Sequence, residues 1–134
     1  MKPTDPNTQD LIRLAIAASE KAYAPYSHYP VGAALRAADG MIYTGCNVEN
    51  AAYPATICAE RTALVKAVSE GQRRFDTLAV VTRSGGAPCG VCRQMLYEFA
   101  PDLQVIIADL DGNIRAACLL TDLLPNGFGP QHLE

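Results

Sequence analysis

Apolar residues recur at helical spacing across residues 10–22. Leu11, Leu14, Ala18 and Ala22 form one stripe, with Ile12 and Ile16 beside it, a period that predicts an amphipathic helix. Pro25 and Pro30 break that pattern. Residues 31–35 and 41–46 read as two strands, joined through the hairpin signal Ala38-Asp39-Gly40. Residues 58–70 predict a second helix, with Ala59, Ala63 and Ala67 on one face, Leu64 and Val68 flanking it, and Gly71 at its end. A face made of alanines predicts a close approach to a sheet. Residues 78–82 and 105–108 are short apolar, β-branched runs, which read as buried strands. Between them a loop at 84–88 precedes a third helix over 90–99, closed by Pro101. Asp111-Gly112 makes a second tight turn, followed by a strand over 114–117. A short final helix is expected over 121–124, capped by Thr121 and stopped by Pro125.

The order is α-β-β-α-β-α-β-β-α. It fits an α/β fold in which helices cover a mixed five-stranded sheet, with hairpins at its ends and crossover helices in its middle. Asp111-Gly112 is too short for a parallel crossover, so the last two strands are expected to run antiparallel. The 134 residues suit one domain, long enough to bury a core without disulfide staples. No repeat or low-complexity segment divides residues 1–134, which read as a single domain.

Composition adds exclusions. No apolar run approaches the roughly 18 residues of a membrane span. Met1-Lys2-Pro3-Thr4-Asp5 lacks the apolar core of a signal peptide. A cytoplasmic location and no membrane partner are therefore expected. The net charge of -3 argues against a nucleic-acid binder, but a small nucleoside needs no global positive field. Five cysteines in such a chain are more often metal ligands or catalytic groups than bridges.

Two segments carry that chemistry: Cys58-Ala59-Glu60-Arg61 and Pro88-Cys89-Gly90-Val91-Cys92-Arg93-Gln94. Each starts a predicted helix straight after a loop. Helix starts carry free N–H groups and partial positive charge, which lower thiol pKa values, and thiolate is the form that binds zinc. Three thiolates fill three corners of a tetrahedron and leave the fourth open, as a catalytic zinc site requires. Glu60, in the first turn, is placed to take a proton from a water in that corner and pass it to a leaving amine. Zn²⁺ with three thiolates carries one net negative charge, which Arg61 or Arg93 can offset by donating to sulfur; Arg61 is favoured. Each piece alone has a plainer reading. Cys-x-x-Cys can be a redox pair, Cys58 a small core residue, and Glu60 a partner of the helix dipole. Together, Cys-x-Glu followed by Pro-Cys-x-x-Cys is the pattern of zinc-dependent deaminases. Cys46 and Cys118 fall in predicted strands and are expected to be buried thiols.

Three further segments extend the likeness: Ala24-Pro25-Tyr26-Ser27-His28-Tyr29-Pro30-Val31-Gly32-Ala33-Ala34, Gly45-Cys46-Asn47-Val48-Glu49-Asn50-Ala51 and Leu123-Leu124-Pro125-Asn126-Gly127-Phe128. With them the sequence resembles the small homotetrameric cytidine deaminases that hold zinc with three cysteines, over roughly residues 24–130. The resemblance implies a three-layer fold of the cytidine deaminase type and one Zn²⁺ per chain on Cys58, Cys89 and Cys92. It implies Glu60 as proton shuttle, Asn47 and Glu49 on the ribose hydroxyls, and main-chain groups near Ala59 and Cys89 on the base. Tyr29 stands where the family often has a Phe packed against the pyrimidine. Phe128 matches an aromatic that reaches a neighbouring subunit's site. The implied reaction converts cytidine or 2′-deoxycytidine to uridine or 2′-deoxyuridine plus ammonia, by attack of zinc-bound hydroxide at C4, within pyrimidine salvage.

The plainer readings make Asn47 a loop residue and Phe128 a tail residue covering its own core. The runner-up is a deaminase of the antibiotic blasticidin S, against which the Asn47-x-Glu49 element and Tyr26-Ser27-His28-Tyr29 argue. A polynucleotide-editing enzyme fits a short acidic chain poorly. A non-enzymatic zinc module would need a fourth protein ligand, such as Cys46 or His28.

Overall fold

The computed structural model describes residues 6–133. Helix α1 spans Pro6–Ser19, strand β1 Gly32–Ala37, β2 Ile42–Cys46, helix α2 Ala59–Ser69, β3 Phe75–Thr82, α3 Gly90–Phe99, β4 Gln104–Asp109, β5 Ile114–Leu119 and α4 Leu120–Leu123. Single 3₁₀ turns occupy Tyr53–Ala55 and Pro130–Leu133. The sheet order is β2-β1-β3-β4-β5. Among the described strands of the sheet, β3 and β4, the pair joined through α3, run parallel and the other pairs antiparallel, because a parallel pair needs a crossover of that length. β4 and β5 are antiparallel, as the short turn requires.

Side chains alternate across the sheet and divide the core in two. On one face Leu11, Ile12 and Ala15 of α1 pack on Ala34, Ala79 and Ile106. On the other, α2 and α3 bring Ala63, Leu64 and Leu96 onto Leu35, Val80 and Ile107. Helix, sheet and helix make three layers. The central strands read as continuous apolar runs because both their faces are covered.

Two glycines let the layers close. A Cβ on Gly32 would lie 1.8 Å from the Ala15 carbonyl oxygen, and one on Gly45 2.6 Å from both the Ala59 carbonyl oxygen and the Ala63 nitrogen. α1 therefore sits directly on the start of β1, and the first turn of α2 directly on β2. Gly32 pairs with Cys46 on one side and Val81 on the other. The start of β1 and the ends of β2 and β3 thus lie side by side at one end of the strands, where the chain runs on towards α2 and α3.

Several expectations are corrected. α1 begins at Pro6, where a proline suits a first helical turn, and ends at Ser19. There the Ser19 hydroxyl donates to the Ile16 carbonyl (2.6 Å) and the next N–H groups reach back three residues instead of four. Its buried face is Thr8, Leu11, Ile12, Ala15 and Ser19; Leu14 and Ala18 are half-buried, and Ala22 lies beyond the helix. β3 starts at Phe75, because Asp76 is tied to Arg36 of the neighbouring strand (2.9 Å). Thr121 does not cap α4. The helix starts one residue earlier, and the Asp122 carboxylate accepts the Leu119 N–H at 3.1 Å. Cys46 and Cys118 are half-buried thiols, not buried ones, because β2 and β5 are the two edge strands.

Candidate active site

Cys58 and Cys89 take equivalent places: each is the extended residue that caps its helix, α2 or α3. The Cys89 sulfur accepts the Cys92 N–H at 3.4 Å, so the thiol itself satisfies a free helix donor. Cys58 Sγ lies 3.8 Å from Cys89 Sγ, which lies 3.3 Å from Cys92 Sγ, and all three fall within 4.8 Å of one another. A tetrahedral zinc with bonds of about 2.3 Å spaces its sulfurs about 3.8 Å apart, so the trio suits one zinc ion. Among the described residues neither Cys46 nor His28 joins it. The donor set is three-sided, and no closed four-ligand site forms.

The electrostatics follow from these contacts. A hydrogen bond from Cys92, with help from Arg61 and Cys89, pulls the Cys58 thiol down to about 5 against the effect of burial. The hydrogen bond to Cys58 and burial raise Cys92 in turn, so of these two thiols Cys58 gives up its proton first. Arg61 donates to Cys58 Sγ at 3.4 Å and to the Thr56 carbonyl at 3.2 Å. Arg93 turns away from sulfur. It donates to the carbonyls of Pro88 (2.7 Å) and Leu123 (2.9 Å) and so ties the loop before Cys89 to α4. Of the two arginines, Arg61 is the one on the sulfurs.

Glu60 is 4% exposed. Burial pushes its pKa up to about 7, and the nearby Cys58 charge adds to the rise. It lines a cavity of about 310 Å³ together with Cys58, Cys89, Ala59, Asn47 and Tyr29. A buried acid that exchanges a proton near neutrality, beside three metal-binding sulfurs, is the equipment of a hydrolytic site.

The other expected residues are placed unequally. β2 ends at Cys46, and Asn47 turns into the cavity with its amide partly engaged: Oδ1 accepts the Val31 N–H and Nδ2 donates to the Tyr29 carbonyl, both at 2.9 Å. Glu49 does not share that lining. It enters an adjoining hollow of about 310 Å³, linked to the first through Thr56. There it accepts the N–H groups of Tyr26 (3.0 Å) and Ser27 (3.1 Å) and the Ser27 hydroxyl. Residues 47–49 lie past β2, with Val48 bridged to Tyr23 and Ile57. Phe128 is 52% exposed and stacks on His132, and it does not line this chain's cavity.

Other residues gave no local sequence signal. The Tyr29 hydroxyl bonds to Ser84, and the Arg83 guanidinium sits 4.9 Å over its ring. Thr82 Oγ1 holds the Gly86 N–H at 3.0 Å. Ser84 is 55 positions from Tyr29, so this pairing depends on the register of β1 with β3.

The model of the cytidine and deoxycytidylate deaminase zinc-binding region matches residues 5–108. The chain belongs to this family. A cytidine deaminase of Sporosarcina psychrophila is 48% identical over 131 residues, covering 96% of each chain. The crystal structure of cytidine deaminase from Burkholderia pseudomallei superposes with a TM-score of 0.84 at 49% identity, over 89% of this chain and 97% of that one. A blasticidin-S deaminase of Bacillus cereus is 33% identical over 137 residues, covering 93% and 96%. Family and donor set agree on a zinc-dependent hydrolase with one Zn²⁺ per chain.

Proposed function

We propose that the chain hydrolyses cytidine and 2′-deoxycytidine to uridine and 2′-deoxyuridine plus ammonia, as a cytoplasmic enzyme of pyrimidine salvage acting as a single-domain homotetramer. The observation that carries this reading is the buried Glu60 on a cavity also lined by Cys58 and Cys89, two of the three clustered cysteine sulfurs. The names of the relatives support the nucleoside. Blasticidin S is the second reading, and the weaker identity of that relative counts against it.

Cys58, Cys89 and Cys92 would hold the ion. Bound zinc supplies a water acidified towards neutrality and a Lewis acid beside the reacting carbon. Everything else falls to side chains. Glu60 accepts the proton released as water adds to C4 and delivers it to ring N3. It then takes the proton of the new C4 hydroxyl and passes it to the amino nitrogen, so that the C4–N bond breaks, ammonia leaves and C4 becomes a carbonyl. Its raised pKa suits both directions of transfer. Arg61 offsets the excess negative charge on sulfur. Tyr29 packs its ring along the base, and Asn47 and Glu49 serve the sugar. Ala59 and Cys89 offer main-chain groups to the base. Phe128, exposed and not lining its own cavity, closes a neighbour's site. The exposed Tyr23, Tyr26 and Tyr53 give an assembly apolar surface to bury.

The test is ultraviolet loss of the cytidine amino group, with and without a chelator. Turnover of both nucleosides that chelation abolishes and zinc restores is expected. Preference for blasticidin S over cytidine would reverse the substrate assignment.

A further inference from the structure

The loop between β3 and α3 carries Cys89 and two walls of the cavity, Gly86 and Ala87. Thr82 holds its first turn from within: the Gly85 N–H donates to the Thr82 carbonyl (3.4 Å) and the Gly86 N–H to Thr82 Oγ1 (3.0 Å). On one side Ser84 is bound to the Tyr29 hydroxyl. From another comes a side chain of the far edge strand. Arg115 of β5 lays its aliphatic carbons against Gly85 so closely that a Cβ there would lie 2.5 Å from Arg115 Cγ and 3.2 Å from its Cβ.

The other end of Arg115 is anchored. Its Nε and Nη2 each lie 3.1 Å from Oδ2 of Asp109. Asp109 is only 4% exposed, and its Oδ1 accepts the N–H groups of Asp111 and Asn113, each at 3.0 Å. A carboxylate bonded on both oxygens is a fixed point for the arginine that leans on it.

We propose that Arg115 is a positioning residue for the metal-binding loop, setting the height of Gly85 and through it of Gly86, Ala87 and Cys89. This rests on the reading of Cys89 as a zinc ligand. The Arg115 side chain is 54% exposed, and without it the buried Asp109 carboxylate still accepts from the Asp111 and Asn113 N–H groups and the Asn113 amide. Its removal therefore acts on the loop and spares the fold. Both guanidinium nitrogens meet the same oxygen, so a single ammonium on a long stem can replace them.

The test uses zinc-loaded full-length protein and two readouts: the rate of zinc release to a chelating dye, and KM and kcat for cytidine. In R115A, release is expected to quicken about fivefold and KM to rise by a similar factor, with kcat at saturating zinc within about twofold. R115K restores both to within about twofold of wild type. Gly85→Ala presses on the same contact from the loop side and also strains a backbone with φ +69°, so it quickens release too. The part that comes from the clash vanishes in R115A, and the two effects combine less than additively. Release and KM at wild-type values in R115A, or a change confined to the thermal midpoint, would overturn the assignment. So would full additivity with Gly85→Ala. A wild type that holds no zinc overturns the proposed function as well, whereas zinc-replete wild type with an unaltered R115A overturns this inference alone.

Discussion

Glu60 shows how a common residue acquires an uncommon task. A glutamate in a first helical turn ordinarily complements the helix dipole at the surface. Here the close seat of α2 on Gly45 carries it under the cavity, where burial raises its pKa to about 7. Glu60→Gln keeps the shape and removes the shuttle. Zinc content is expected to stay near one per chain while kcat falls at least about 10²-fold, measured by metal analysis beside the ultraviolet assay. Near-normal turnover would remove Glu60 from the mechanism. Cys58→Ala should behave oppositely and lose the metal. The charge-compensating residue was legible only as one of two. Arg61 lies three positions after Cys58 and Arg93 four after Cys89, so helical spacing admits both; the structure puts Arg61 on the Cys58 sulfur and Arg93 on the carbonyls of Pro88 and Leu123.

At the scale of elements, the site depends on how near two helices come to the sheet. A methyl group on Gly45 would meet the backbone of α2 at 2.6 Å, while one on Gly90, in the first turn of α3, meets nothing within 4 Å. Gly45→Ala is expected to cost about 1–3 kcal/mol in urea unfolding of the zinc-free protein through overpacking, and Gly90→Ala less than about 0.5 kcal/mol. Equal effects would mean that α2 is free to ride outward. The alanine face of α2 foretold this contact, since Ala59, Ala63 and Ala67 are all fully buried.

At the scale of the molecule, Phe128 asks for a neighbour. It lies outside its own chain's cavity and half in solvent. If it completes another subunit's site, a Phe128→Ala chain still carries a working Glu60, and a Glu60→Gln chain still offers Phe128. Hybrids formed by refolding the two together should therefore turn over cytidine with a lower KM than Phe128→Ala alone. Mixed samples that equal the weighted sum of the separate variants would confine each site to one chain.

Local signals in the sequence determined the element order, the two helix starts that hold the cysteines, and the antiparallel last hairpin. These depend on neighbours a few positions apart, through helical period, prolines and glycines in turns, and donors left free at helix starts. Tertiary structure alone decided which face of α1 is buried, that Cys46 and Cys118 are only half-covered, and that Glu49 is held by Tyr26 and Ser27 while Asn47 is held by Val31 and Tyr29. It alone brought Ser84 to Tyr29 and Arg115 to Gly85. Those outcomes turn on strand register and on which strands lie at the edges. Both are properties of the assembled sheet, and residues far apart in the chain acquire them only when it forms.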